Sequence, residues 1–149
     1  MLWGVLMKKL VCNLLLVFAV LYPSSALASS TAGKAIYCER DKGAIKLKGR
    51  TFGSAVGVHF YSASTLRVSD NTDRNKLYNA EYEPLNNKIT WRGTVGSWTL
   101  NRQSLYLNIY EWASPLPFDE YYSCKVVSPK VMRAKLEESR ERETAGNKL

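Results

Sequence analysis

An all-β fold is predicted: an antiparallel meander of about eight short strands, closed into a small barrel or folded as a sandwich, followed by a charged C-terminal tail or helix. Three observations carry this. Between Ala35 and Val127 apolar residues alternate with polar ones in short runs, and nowhere do they keep a 3.6-residue period for three turns. Clusters of Gly, Asn, Asp, Ser and Pro separate the runs. Many short strands in series also favour a closed or doubled sheet, because closure removes the exposed edges that would pair with other chains.

The first strand spans Ala35 to Glu39 and contains Cys38. A turn at Arg40-Asp41-Lys42-Gly43 returns the chain through Ala44 to Lys48 as a first hairpin. Val56, Val58 and Phe60 share one face of the next strand, which turns His59 and Tyr61 to the other. Leu66 and Val68 continue the pattern after Ser62-Ala63-Ser64, and the polar stretch Ser69 to Asn75 is a loop. Tyr78, Ala80 and Tyr82 oppose Asn79, Glu81 and Glu83 across one strand, Pro84 ends it, and Asn86-Asn87 makes a tight turn to Ile89 and Trp91. Trp98 and Leu100 open another strand, and Asn101 to Ser104 turn the chain. Leu105, Leu107 and Ile109 then return with Tyr106, Asn108, Tyr110 and Trp112 on the opposite face. Ala113 to Asp119 is a loop, and Tyr121 to Val127 closes the series, setting Cys124 beside the first strand.

Three segments follow: residues 1–28, 29–128 and 129–149. The first has the regions of a cleavable signal peptide. Lys8 and Lys9 carry charge, Leu10 to Leu21 is apolar apart from Asn13, and Ser25-Ala26-Leu27-Ala28 supplies small residues for cleavage after Ala28. That apolar run is well short of the roughly 20 residues that span a bilayer, so no stable membrane span is expected after cleavage. The apolar Leu2 to Leu6 ahead of the lysines is unusual, and Met7 is the alternative start to Met1. Cys12, within the apolar run, lacks the small neighbour of a lipid-modification site. A periplasmic or secreted destination is therefore expected.

Two cysteines remain after cleavage, and in an oxidising compartment Cys38 and Cys124 allow one intramolecular disulfide; two buried thiols are the alternative. A zinc site is disfavoured, because two distant cysteines and one histidine cannot fill a tetrahedral shell. Of the 21 Lys and Arg, Lys8 and Lys9 leave with the leader. The remaining 19 against 13 Asp and Glu give +6. From Pro129 the chain is charge-rich, with Val131, Met132 and Leu136 the only sizeable apolar residues before Leu149. Residues 131–143 hold good helix formers, but the apolar face is thin, so both a solvated or disordered tail and a helix docking on a partner are open.

Few residues invite chemistry. His59 is the single histidine and the only possible imidazole base. Glu81 and Glu83 share a strand face at roughly 7 Å, a spacing compatible with glycoside hydrolysis, though same-face carboxylates are common on solvated surfaces. Phosphate-binding glycine loops, zinc spacing and nucleophile elbows are absent, and Asp70-Asn71-Thr72-Asp73 lacks the glycine and distal glutamate of a calcium loop. No cofactor or metal is expected. Basic residues interleave with aromatics at Trp91-Arg92 and from Trp98 to Tyr106, yet alternation assigns both tryptophans to the core, so no nucleic acid is expected.

The outer aromatics are the more informative feature. With Leu105, Leu107 and Ile109 facing the core, Tyr106, Tyr110 and Trp112 face out, joined by Glu111 at the strand end and by Phe118 and Tyr121 beyond it. Such a surface binds a partner or a glycan, unless loops or the tail cover it. The expected function is thus that of a small non-catalytic binding protein of the cell envelope, its partner an exported protein or an envelope polymer. The alternative is an envelope-polymer hydrolase using His59 or the Glu81/Glu83 pair.

Cys38 soon after the leader, Ile89-Thr90-Trp91, Trp98-Thr99-Leu100-Asn101-Arg102 followed by Leu105, and the closing Cys124 resemble a group of small exported proteins of unknown function predicted from marine bacterial genomes. The resemblance covers about half of the chain after the leader. It implies the compartment and a single-disulfide β fold, and no activity.

Overall fold

The computed structural model describes residues 31–41, 52–72, 78–94, 96–112 and 118–146. The expected signal peptide, the hairpin return at residues 44–48 and most of the loop at 113–119 lie outside them. Eight strands are formed: β1 (Ala35–Arg40), β2 (Ala55–Phe60), β3 (Thr65–Asp70), β4 (Tyr78–Pro84), β5 (Lys88–Arg92), β6 (Gly96–Asn101), β7 (Tyr106–Glu111) and β8 (Phe118–Val127). Each pairs antiparallel with its neighbours in sequence, and β8 returns to β1, so the meander closes as a barrel rather than folding as a sandwich. Because β2 and β8 occupy the two edges of β1, the partner of Ala35–Arg40 is Ala55–Phe60, not the hairpin return expected from the local turn.

Strand alternation decides the interior. Ile36 and Cys38 of β1, Val56, Val58 and Phe60 of β2, Trp98 and Leu100 of β6, and Leu107 and Ile109 of β7 point inward and are buried together. Trp91 and Trp98, opposed across the β5–β6 ladder, stack at 5.5 Å, and Phe52 meets Trp98 edge-on at 4.7 Å. A barrel of eight strands has an interior just wide enough for side chains to fill, and these rings fill it. At one end Tyr82 is buried, its hydroxyl donating to the Ser62 carbonyl at 2.8 Å.

The seam between first and last strands carries the covalent link. Cys38 and Cys124 are directly opposed in the β1–β8 register and joined as a disulfide, 86 residues apart in sequence. Local turns explain two of the other connections. Ser62 Oγ accepts from the backbone N–H groups of Ser64 and Thr65, and Asn101 Oδ1 accepts from those of Gln103 and Ser104. The second of these turns ends at Leu105, whose φ of 54° is left-handed. Leu105 is therefore a turn residue and not the first residue of β7, and its carbonyl accepts from the Cys124 N–H at 2.8 Å.

The charged tail is a helix, α1 (Pro129–Gly146), and it docks. Met132 and Leu136, four apart, pack against Ala35, Tyr37 and Ala55 on the outer faces of β1 and β2. Its stripe is thin, but the sheet surface beneath is cut to receive it. A Cβ at Gly57 would lie 2.8 Å from Met132 Cγ and Leu136 Cδ1, so glycine there lets the helix approach. Three turns along, Ser139 Oγ accepts from Asn71 Nδ2 at 2.9 Å, and the same amide's oxygen receives the Ala55 N–H at 3.1 Å. Among the described residues, no helix is long and apolar enough to cross a membrane.

Candidate functional site

The outer surface of β7 and β8 presents the aromatic face. Tyr106, Asn108 and Tyr110 alternate outward on β7; across the ladder they oppose Ser123, Tyr121 and Asp119 of β8. Tyr110, Trp112 and Tyr121 are each about two-fifths exposed (40%, 44% and 41%), and Tyr106 nearly so. Tyr106 and Tyr121 stack at 5.8 Å with 27° between their planes. Polar side chains hold this surface in one arrangement. The Tyr106 hydroxyl and Ser123 Oγ both donate to the Asp41 carboxylate, and Asn108 Nδ2 donates to Asp119 Oδ1 at 2.9 Å. The bond to Asp41 raises the Tyr106 phenol above its ordinary pKa. Tyr110 and Trp112 make no ring contact and no side-chain hydrogen bond among the described residues.

Two of the residues expected to extend this face do not. Glu111 has the parity of Leu107 and Ile109, points inward and is 1% exposed; Phe118, its cross-strand neighbour, is half-buried. Tyr121 does join it.

The carboxylate pair is also outward. Glu81 and Glu83 are exposed on β4 and line an open groove of about 730 Å³ with Thr90, Arg92, Ser97 and Thr99 of β5 and β6. His59 lies elsewhere, on the outer face of β2, with the Tyr61 ring at 4.1 Å. Burial lowers its pKa, and the charges of Arg133 and Arg67 lower it further. Among the described residues none hydrogen-bonds the imidazole, and the structure does not bring it to the two glutamates' groove. No group of three or more His, Cys, Asp or Glu among the described residues is placed to hold a metal.

A buried polar cluster at one end of the barrel escaped the sequence reading. Arg40 Nη2 lies 3.2 Å from Glu120 Oε1 and donates to the Phe52 carbonyl at 2.7 Å and the Tyr122 hydroxyl at 3.1 Å. The Tyr122 hydroxyl donates in turn to Glu120 Oε2 at 2.8 Å. Glu120 is 3% exposed, and inward parity with Tyr122 was the signal that could have found it. Burial, reinforced by the Glu120 charge, drives the Tyr122 phenol strongly upward. On the outer face Tyr37, covered by α1 and donating to Glu39 at 3.0 Å, is pushed up to about 12 by burial and by Glu39.

These phenols make an alkaline signature. In the unfolded chain a tyrosine ionises near pH 10; folded, Tyr37 keeps its proton to about 12, and Tyr122 also ionises above its unfolded range. Native protein thus binds more protons than unfolded protein above pH 10, and stability falls there. Urea unfolding at stepped pH is expected to show a plateau below about pH 9.5 and a decline from pH 10 to 12, reduced in Tyr37→Phe.

Comparison with known protein families, characterised proteins and solved structures finds no match.

Proposed function

We propose that the chain is an exported, non-catalytic binding protein of the cell envelope that engages an exported protein through the outer β7–β8 face. The observation that carries the reading is a contrast. Side chains fill the barrel interior, whereas Tyr110 and Trp112 stand two-fifths exposed on a face whose neighbouring polar groups are already paired. Rigid aromatics with few rotatable bonds are the residues that anchor protein interfaces. The leader of residues 1–28 and the Cys38–Cys124 disulfide support an oxidising compartment outside the cytoplasm.

A photo-crosslinking residue at position 108, between Tyr106 and Tyr110, is expected to capture a discrete partner in intact cells. Tyr110→Ala with Trp112→Ala should remove that product while changing stability by less than about 1 kcal/mol, as exposed positions do. An undiminished product in the double variant would exclude this face.

The groove beside Glu81 and Glu83 favours a second reading, hydrolysis of an envelope polymer. A variant with His59→Gln, Glu81→Gln and Glu83→Gln that retains its biological effect would dismiss it.

A further inference from the structure

The outer face of β2 and β3 carries a cluster that the aromatic face does not use. Antiparallel register sets His59 opposite Arg67, both pointing outward. The Arg67 guanidinium lies over the Tyr61 ring at 5.2 Å and donates through Nε to Asn79 Oδ1 at 3.1 Å. An exposed arginine ordinarily keeps its rotamer freedom. Here a ring beneath and an amide beside hold it, and the hydrogen bond to Asn79 uses only one of its five N–H donors. Arg133, in the second turn of α1, follows Met132, which packs over Gly57, two residues from His59, and its charge acts on the imidazole. Among the described residues neither Arg67 nor Arg133 has an ion pair.

We propose that His59, Arg67 and Arg133 form a binding site for a phosphoryl group. Guanidinium forks match the spacing of phosphate oxygens and bind them bidentately. A clamped Arg67 has its terminal nitrogens available for such a fork. Three basic groups, the two arginines without an ion pair among the described residues, suit a tetrahedral group carrying up to two negative charges better than a single carboxylate. The charges acting on His59 are those of Arg67 from β3 and Arg133 from α1; Tyr61 is its titratable neighbour, and β1 opposes it with Ala35. Together the two arginines disfavour protonation of the imidazole. A bound phosphoryl group reverses that field, so binding and His59 protonation reinforce each other.

The test is an NMR titration of the full exported protein with sodium phosphate, against sodium chloride at equal ionic strength, near pH 6.5. Saturable shifts at the His59 ring and Arg67 Nε are expected, with a His59 pKa that rises in phosphate. Arg67→Gln and Arg133→Gln should each weaken binding roughly five-fold or more, while Lys88→Gln on β5 leaves it unchanged. Shifts that follow chloride, fail to saturate or survive both arginine variants would overturn the proposal. Sedimentation with vesicles of phosphatidylglycerol, against phosphatidylcholine alone, separates the sources. Retention lost in Arg67→Gln assigns the phosphoryl group to a lipid headgroup, and phosphate binding without retention assigns it to a soluble ester or polymer. Tyr110→Ala with Trp112→Ala is expected to bind phosphate normally, so this site and the aromatic face stand or fall separately.

Discussion

Replacing Cys38 and Cys124 together by alanine is expected to lower the unfolding free energy by about 4–5 kcal/mol, the cost of releasing so long a loop in the chain-entropy model. The position of the link makes the effect large. It joins the first and last strands at the seam that closes the barrel, linking positions 86 residues apart in sequence. At roughly 3–5 °C per kcal/mol for a domain of this size, the melting temperature should fall by on the order of 15 °C. Reductant should produce the same shift in the wild type and none in the variant. A wild type indifferent to complete reduction would mean that hydrogen bonding along β1 and β8 alone holds the seam.

Arg40→Met is the second large effect, expected to destabilise by about 3–5 kcal/mol, because it strips the guanidinium from a carboxylate that is 3% exposed. Arg40 also ties the backbone of Phe52 and Gly53 to the barrel end through their carbonyls. Arg40→Met combined with Glu120→Met removes both charges and should recover much of the loss, since apolar replacement of a whole buried pair is often close to neutral. A double variant as unstable as the single one would show that the backbone contacts of Arg40, and not the charge of Glu120, set its contribution. Urea denaturation of the three proteins measures both effects.

Much of the fold was legible because its strands obey a two-residue period. Val56, Val58 and Phe60, or Trp98 and Leu100, announce an inward face from their own neighbours alone. Docking of α1 was not legible, because a stripe of Met132 and Leu136 is weak by itself; the surface that receives it is assembled from Ala35, Ala55 and Gly57, far away in the chain. The first hairpin failed for a related reason. Arg40-Asp41-Lys42-Gly43 is good turn chemistry, but closure of the barrel commits both edges of β1 to β2 and β8. Glu111, expected at the strand end beside the outer aromatics, shares the parity of Ile109 and points inward. Of the candidate site, Tyr106, Tyr110 and Trp112 were readable from alternation. The clamp on Arg67 depends on cross-strand register and on a helix folding back, neither of which a single strand encodes.

The central claim, a disulfide-closed barrel working outside the cytoplasm, is tested most directly by the intact mass of the protein recovered from cells, before and after reduction and alkylation. A chain beginning at Ser29, two hydrogens lighter before reduction than after it, is the predicted result. An uncleaved chain with Cys38 and Cys124 as free thiols would contradict it.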